Sequence, residues 1–550
     1  MAITKGEVVV MGEEKGKNFL KGAVILTTAG LIAKVMGFVY RVILTRLIGA
    51  EGMGLYEMAY PFYTTMLVVS RSGLPVSLAK LISGRIALDQ KRVAFKIFRV
   101  GRLLSLLVGI LFSVLMIVLA RPLINLLKWD PRAYYPVLAL SPAIFFVSIM
   151  AIYRGFFQGL QDMTPTAISQ VLEQLVRMIT MITLAYLLVP YGYGMAAAGA
   201  TFGAVTGSVT GLLVLIFIYY KRRKKIWEYV QTGSARDVDS WKIVKNIAAL
   251  GIPITLGAMV QPLMKLIDTI IVPQRLQLAG YTIEKTTELF GDLSAVAMTL
   301  VNFPTIITVS LAASLVPSIS EAFALNQDSL IKKRALTGFR LTILITLPAA
   351  VGLFVMAKPL TEVIFAVPNA AVPLRIVAWG VLFIGLQQTS SAVLQGMGHT
   401  TIPARNLFIG AITNGIINYT LTVQPQFGIR GAALGTVTGF AVAALLNLIS
   451  VKKHTDFKFS WKGLLLKPFL AVSIMGIAVQ QSFPLINNLL VGLSKYSYPV
   501  ATFTTVFLAV LIYLFLLFLL QEIRYNDLIM IPIIGERMAR LFKKLGLVRS

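Results

Sequence analysis

The 550-residue chain contains no cysteine, which excludes disulfide frameworks, thiolate metal sites, iron–sulfur clusters and cysteine nucleophiles. Its only two histidines are His399 and His454, too little material for histidine-based metal or general-base chemistry. Charge is scarce as well: 13% of residues are charged, against about 25% in an ordinary globular protein. What fills the chain instead is apolar, with 57% hydrophobic residues and a mean hydropathy of +0.79. A membrane-crossing helix needs about 20 apolar residues, so this composition describes an all-α, polytopic membrane protein. The charge that remains is one-sided, 51 Lys and Arg against 23 Asp and Glu, a net +28. In a soluble protein that excess would point to nucleic acid; here the question is where it lies relative to the bilayer.

Apolar stretches of helical length run over 20–48, 53–83, 103–127, 134–158, 165–190, 195–220, 245–273, 290–321, 336–358, 372–395, 403–424, 430–451, 464–484 and 498–521, which makes about fourteen expected spans. Residues 1–17 are polar and lack the apolar core and cleavage site of a signal peptide, so the first stretch is expected to stay as a span. Basic residues gather on one side of the expected spans: Arg85, Lys91, Arg92, Lys96 and Arg99; Lys221 to Lys225; Lys332, Lys333 and Arg334; Lys452, Lys453 and Lys458. The other side has chiefly Lys128, Arg132, Arg275, Lys285 and Lys495. Cation-rich loops stay inside, so both termini are expected in the cytoplasm, with the protein in the cytoplasmic membrane. Attraction to anionic membrane lipids then accounts for the positive excess, and no nucleic acid partner is expected. Residues 534–548 mix apolar residues with Arg537, Arg540, Lys543 and Lys544, the pattern of an amphipathic helix lying on the membrane surface.

The chain repeats itself. Gly199, Gly203 and Gly207 recur with the same spacing as Gly431, Gly435 and Gly439, and Gln158-Gly159 with Thr164-Pro165 recurs as Gln395-Gly396 with Thr401 and Pro403. The offsets are 232 and 237 residues. An even number of spans separates the copies, so the halves should have parallel topology about an axis along the membrane normal. Glycines four apart on a span favour close helix packing over a ligand site. The expected organisation is an N-terminal lobe over 1–222, a cytoplasmic linker over 223–244, a C-terminal lobe over 245–453, and two additional spans with a basic tail over 454–550.

Charges inside spans are the most informative residues, because each costs at least about 2.5 kcal/mol at the bilayer centre without a cavity or partner. The first span carries Lys34, Arg41 and Arg46; Gly30, Lys34, Gly37 and Arg41 share one helix face, which should look into a polar cavity. Snorkelling or structural pairing is the alternative. Glu57 on the second span can pair with a first-span cation or take up a proton. Arg71 precedes Gly73-Leu-Pro75, a helix-break signal. The fifth span puts Gln170, Glu173, Gln174 and Arg177 on one face; Glu173 and Arg177, four apart, suit a salt bridge as well as a substrate contact. The seventh places Gln261, Lys265 and Asp268 together. Two polar faces opening the two lobes imply a central cavity. No HExxH, GxSxG or Walker-type phosphate loop occurs, and Asp130, Asp237, Asp239 and Asp292 are scattered rather than grouped. Neither an enzyme nor a metal or cofactor site is expected.

Ala33-Lys-Val-Met-Gly-Phe38, with Arg46-Leu-Ile-Gly49 and Gly54-Leu-Tyr56, resembles the first two helices of the oligosaccharide and lipid flippases related to the multidrug and toxic compound extruders (MATE). Leu315-Val-Pro-Ser-Ile-Ser-Glu-Ala-Phe323 resembles the eighth-helix motif of the lipid II flippases. Arg154-Gly-Phe-Phe-Gln-Gly-Leu-Gln161 with the run from Pro165 to Arg177 is similar to the stage V sporulation protein B branch of that superfamily. The resemblance implies a MATE-like fold of two six-helix lobes around a V-shaped cavity, with two extra helices shaping a groove for a lipid tail. It implies that Lys34 is a pyrophosphate-holding cation and Glu57 a functional acid. Two family arginines are replaced, by Tyr40 beside Arg41 and by Thr299. The expected function is a flippase for an undecaprenyl-pyrophosphate-linked saccharide, a peptidoglycan precursor such as lipid II or a related polysaccharide precursor. Its expected site is Lys34, Arg41, Arg46, Glu57, Arg177, Lys265 and Asp268; a coupling ion or the membrane potential would reset it, and a monomer is compatible with the reading while the sequence leaves the oligomeric state open. A cation-coupled multidrug exporter is the rival, kept open by Glu57 and Asp268, since intramembrane acids serve as coupling groups.

Overall fold

The computed structural model describes residues 5–71, 73–232, 238–455, 461–491, 496–520, 522 and 540. The expected surface helix over 534–548 lies outside these, apart from Arg540. Among the described residues every element is helical and there is no strand. The chain divides into two compact units, Met1–Leu266 and Ile267–Ser550.

The first unit holds α1 (Lys5–Arg71), α2 (Gly73–Ala87), α3 (Lys91–Leu126), α4 (Tyr134–Gly159), α5 (Thr164–Leu188), α6 (Tyr193–Gln231) and the first part of α7 (Ser240–Leu278). The two expected opening spans run on as the single element α1, bent at Gly49, whose φ of 66° and ψ of −176° form a backbone pairing that only glycine adopts at low cost. A break then falls between Arg71 and Gly73, where the Gly-Leu-Pro signal lies. There the Gly73 amide donates to Thr255 Oγ1 of α7 at 3.0 Å, and Gly73 lies against the Gly251 carbonyl with no room for a side chain. The expected linker is largely helical: α6 continues through its basic run to Gln231 and α7 begins at Ser240.

The second unit holds the rest of α7, α8 (Ile283–Gly291), a π-helical segment (Asp292–Ala297), α9 (Met298–Ala324), α10 (Asp328–Val355), α11 (Ala357–Phe365), α12 (Ala371–Val377), α13 (Gly380–Gly396), α14 (Thr401–Leu421), α15 (Ile429–Thr455), α16 (Trp461–Val491) and α17 (Ser497–Leu519).

Ten helices among the described residues are long and apolar enough to cross a membrane, or eleven if the bent pair α12 and α13 is one span. The expected count of fourteen is therefore not confirmed. The stretches outside that count are 20–48 and 53–83, in the α1–α2 region, and 403–424, in α14, which carries Arg405, Asn406, Asn414 and Asn418. On α14 the polar side chains serve neighbouring helices, Asn406 bonding Asn447 of α15 and Asn414 and Asn418 bonding Asp268 of α7, and they dilute the apolar run.

The repeated glycines pack helices, as their spacing predicts. A Cβ on Gly207 of α6 would stand 2.7 Å from the Glu173 carbonyl and 2.8 Å from Arg177 Cβ on α5. A Cβ on Gly439 of α15 would stand 2.8 Å from the Gly410 carbonyl and 2.8 Å from Asn414 Cβ on α14. Small residues let the two backbones approach closely where lipid supplies no hydrophobic drive. The match also places Arg177 and Asn414 at corresponding positions of the two repeats.

Candidate functional site

In the first unit the polar faces of α1 and α5 converge. Arg41 meets Glu57 across the Gly49 bend, with Nη1 3.0 Å from Oε1; the carboxylate is 7% exposed and the guanidinium 19%. Of the two roles open to Glu57, pairing with a first-span cation is the one formed, with the bend folding the second half of α1 back toward the first. Tyr56, Tyr60 and Tyr63 sit one turn apart on the same stretch, Tyr56 and Tyr60 stacked at 5.3 Å and Tyr60 and Tyr63 tilted at 5.7 Å.

Arg177 of α5 approaches this aromatic row. Its Nη2 donates to the Tyr60 hydroxyl at 3.2 Å, and its guanidinium lies 5.6 Å from the Tyr60 ring centroid. The salt bridge to Glu173 that the i, i+4 spacing allows is not formed. Glu173 instead accepts from Arg154 of α4 at 2.7 Å, while Arg154 Nε donates to Ser169 Oγ at 3.1 Å. A bidentate-capable partner from another helix outcompetes the local cation, because Arg154 can satisfy two acceptors at once. Among the described residues no carboxylate lies within 4.0 Å of Arg177, and its Nε is buried without a hydrogen-bond partner.

The remaining expected residues are spread more widely. Lys34 is exposed on the face it shares with Arg41 two turns along, and Gly30 of that face lies against Gln170 of α5, 3.9 Å from where its Cβ would be. Arg46 and Lys265 are exposed. In the second unit, Asp268 Oδ1 accepts from Asn414 Nδ2 at 2.6 Å and from Asn418 Nδ2 at 2.7 Å. The structure thus brings Arg41, Glu57 and Arg177 to the α1–α5 face, and holds Asp268 in an amide clasp of α14.

Sequence reasoning missed three features. Arg154 stood in a motif but was given no role, since its partner is on another helix. The tyrosines at 56, 60 and 63 have helical spacing that could have been read as a face. Asp292, counted among the scattered acids, is fully buried in the π-helical segment, and neither carboxylate oxygen has a partner among the described residues. A π-turn leaves no signature in apolar periodicity.

A family model described as "Polysaccharide biosynthesis protein" matches residues 19–323, more than half of the chain. The chain belongs to this family. A second model, described as MatE, matches residues 292–420. Among relatives of this chain, stage V sporulation protein B of Bacillus subtilis (strain 168) is 32% identical over 528 residues, covering 95% of this chain and 99% of that one. The lipid II flippase MurJ of the same organism is 27% identical over 486 residues, 84% of this chain and 88% of that one. Among solved structures, the lipid II flippase MurJ in an inward closed conformation matches with a TM-score of 0.64 at 17% identity, over 92% of this chain and 100% of the other. An inward-facing multidrug resistance MATE family transporter of the MOP superfamily matches with a TM-score of 0.66 at 17% identity, over 79% and 98%. These likenesses establish the fold, the all-α polytopic architecture shared by the MATE and MurJ transporters.

Proposed function

We propose that the protein is a flippase carrying an undecaprenyl-pyrophosphate-linked saccharide, a peptidoglycan precursor such as lipid II or a related polysaccharide precursor, across the cytoplasmic membrane by alternating access. The observation that carries this reading is Arg177, a guanidinium within a membrane helix whose charge is met by tyrosine and by no carboxylate among the described residues. Taking a pyrophosphate out of water is costly, and charge-assisted hydrogen bonds from arginine to phosphate oxygens offset that cost. Arg177 offers donors for this directly. Arg41, on the facing helix, is neutralised by Glu57 at rest and becomes available when that pair opens, and Lys34 extends the cationic face. The sequence relation to a protein named lipid II flippase supports the substrate class.

In this reading residues 1–222 and 245–453 form the two transport lobes joined by 223–244, and 454–550 serve the lipid tail. Both termini face the cytoplasm, the cycle needs no cofactor, and an ion gradient or the membrane potential resets it. No covalent chemistry is involved. A cation-coupled exporter would need an acid free to exchange its cation. Glu57 is engaged with Arg41 and Asp268 with two amides, and Asp292, whose carboxylate has no partner among the described residues, is fully buried away from exchange, which weighs for the flippase.

The test is translocation of a fluorescent undecaprenyl-pyrophosphate saccharide in proteoliposomes. Lys34→Ala/Arg177→Gln should insert and melt as the wild type does but lose transport. Unaltered transport by the double variant would sink the cationic site, and cationic-dye export dependent on Glu57 or Asp268, without lipid transport, would establish the exporter.

A further inference from the structure

Away from the α1–α5 face, a cavity of about 630 Å³ opens between the first turns of α3 and the basic end of α6. Its floor is aromatic: Phe98 and Tyr219, 1% and 7% exposed, pack at 5.6 Å. Trp227, braced edge-on against Phe95 at 5.9 Å, and Tyr220 form an exposed rim. Four cations line it, Arg99 and Arg102 from α3 and Arg223 and Lys224 from α6. Arg99 lies over the Phe95 ring and Arg223 over the Tyr220 ring, at 5.6 and 5.9 Å. None of the four has a carboxylate within ion-pair distance among the described residues.

A neighbouring hollow shows the contrast. There Lys91 is paired with Asp89 at 3.1 Å and Arg222 with Asp162, so most of its charge is already met. Four like charges gathered in one cavity repel one another unless an anion joins them. The cavity lies where both helices pass from cationic to apolar sequence. Below Arg99, on its own face of α3, Leu103, Leu107 and Ile110 are exposed. On the Tyr220 face of α6, Phe217 and Leu213 are exposed, at 66% and 58%. Cations above two separate apolar tracks suit a ligand with phosphates at one end and several hydrocarbon chains at the other. A polyprenyl carrier has one chain and would leave one track bare.

We propose that this cavity is a binding site for an anionic phospholipid of the bilayer carrying two phosphates, with its phosphates among Arg99, Arg102, Arg223 and Lys224 and its acyl chains along α3 and α6. Basic pockets between membrane helices take such head groups. The site is independent of the transport reading, since it uses none of the residues placed in that site.

Native mass spectrometry of the full-length detergent-solubilised protein tests it, with cardiolipin, phosphatidylglycerol, undecaprenyl pyrophosphate and inorganic phosphate as probes. Wild type should retain cardiolipin over phosphatidylglycerol. Arg99→Gln/Arg102→Gln/Arg223→Gln/Lys224→Gln should lower that retention about tenfold, the loss of one to two charge-assisted contacts. The milder Arg102→Gln/Lys224→Gln should lower it in part and serves if the fourfold variant does not fold. A control removing four cations elsewhere, Lys221→Gln/Lys332→Gln/Lys333→Gln/Lys452→Gln, should retain cardiolipin within twofold of wild type. Equal loss in the control would overturn the site in favour of diffuse surface charge. Cavity-dependent retention of undecaprenyl pyrophosphate in place of cardiolipin would overturn it in favour of the substrate, and displacement of cardiolipin by inorganic phosphate would show a free-anion site.

Discussion

Arg154 pairs with Glu173 and Arg177, four residues along α5 from it, does not, so the two differ in what meets their charge, which separates scaffold from function at single residues. Arg154 and Glu173 form a mutual pair, each 14% exposed. Removing one partner leaves the other's charge poorly compensated, so Arg154→Gln should destabilise the protein by about 3 kcal/mol, the low end for breaking a buried pair from one side. Arg177 gives up only its contacts with the hydroxyl and ring of Tyr60. Arg177→Gln should leave the melting temperature nearly unchanged and weaken undecaprenyl pyrophosphate binding about tenfold or more, the worth of a charge-assisted hydrogen bond. Melting curves and lipid titration on both variants check the pair; a large stability loss in Arg177→Gln with intact binding would make it structural. Which carboxylate belongs to which cation was only partly legible in the sequence. The Arg41–Glu57 pair was foreseeable because both lie on the first two spans, joined by a short turn. Glu173 was ambiguous because helix spacing reveals local partners and says nothing of Arg154, a helix away.

Helices α5 and α6, and again α14 and α15, meet through glycines whose missing Cβ is occupied by backbone on the other side. Backbone cannot swing away as a side chain can, so Gly207→Ala should cost about 1–3 kcal/mol from overpacking. Gly435→Ala should cost as much, since its Cβ would fall on the Asn418 amide oxygen and disturb the clasp on Asp268. Gly84→Ala on α2 meets nothing within 4 Å and should be neutral or stabilising by up to about 1 kcal/mol through helix propensity. Thermal unfolding of the three in one detergent decides it; equal behaviour would remove the packing argument. This layer was the most legible one, because the repeat of three glycines declares both the contact and its duplication. The span count was less so. Polar residues such as Asn414 and Asn418, placed to serve Asp268, make α14 read as less apolar than its neighbours. The bend at Gly49 left α1 unbroken where two separate spans were expected.

Across the whole chain, the helices beyond the repeat are tied to the second unit by a buried ion pair. Arg340 of α10 meets Glu522, just past α17, at 3.1 Å with both side chains under a tenth exposed, and also donates to the Glu522 carbonyl. Tyr513 of α17 donates to the Leu344 carbonyl at 3.0 Å. Glu522→Ala should therefore cost about 3–5 kcal/mol and make α17 susceptible to limited proteolysis. Lys467→Ala, 3.7 Å from Glu522 and 48% exposed, should change stability by less than about 1 kcal/mol. Similar proteolysis patterns in the two variants would show that the pair does not anchor these helices. Neither Arg340 nor Glu522 was legible beforehand, since they are 182 residues apart. The correspondence of Arg177 with Asn414 bears on how alike the two halves are. The two copies of the repeat differ here, one carrying a positive charge where the other holds a neutral amide. The halves have ceased to be interchangeable: a chain built from two first halves would double the anion-attracting side and lose the clasped carboxylate altogether.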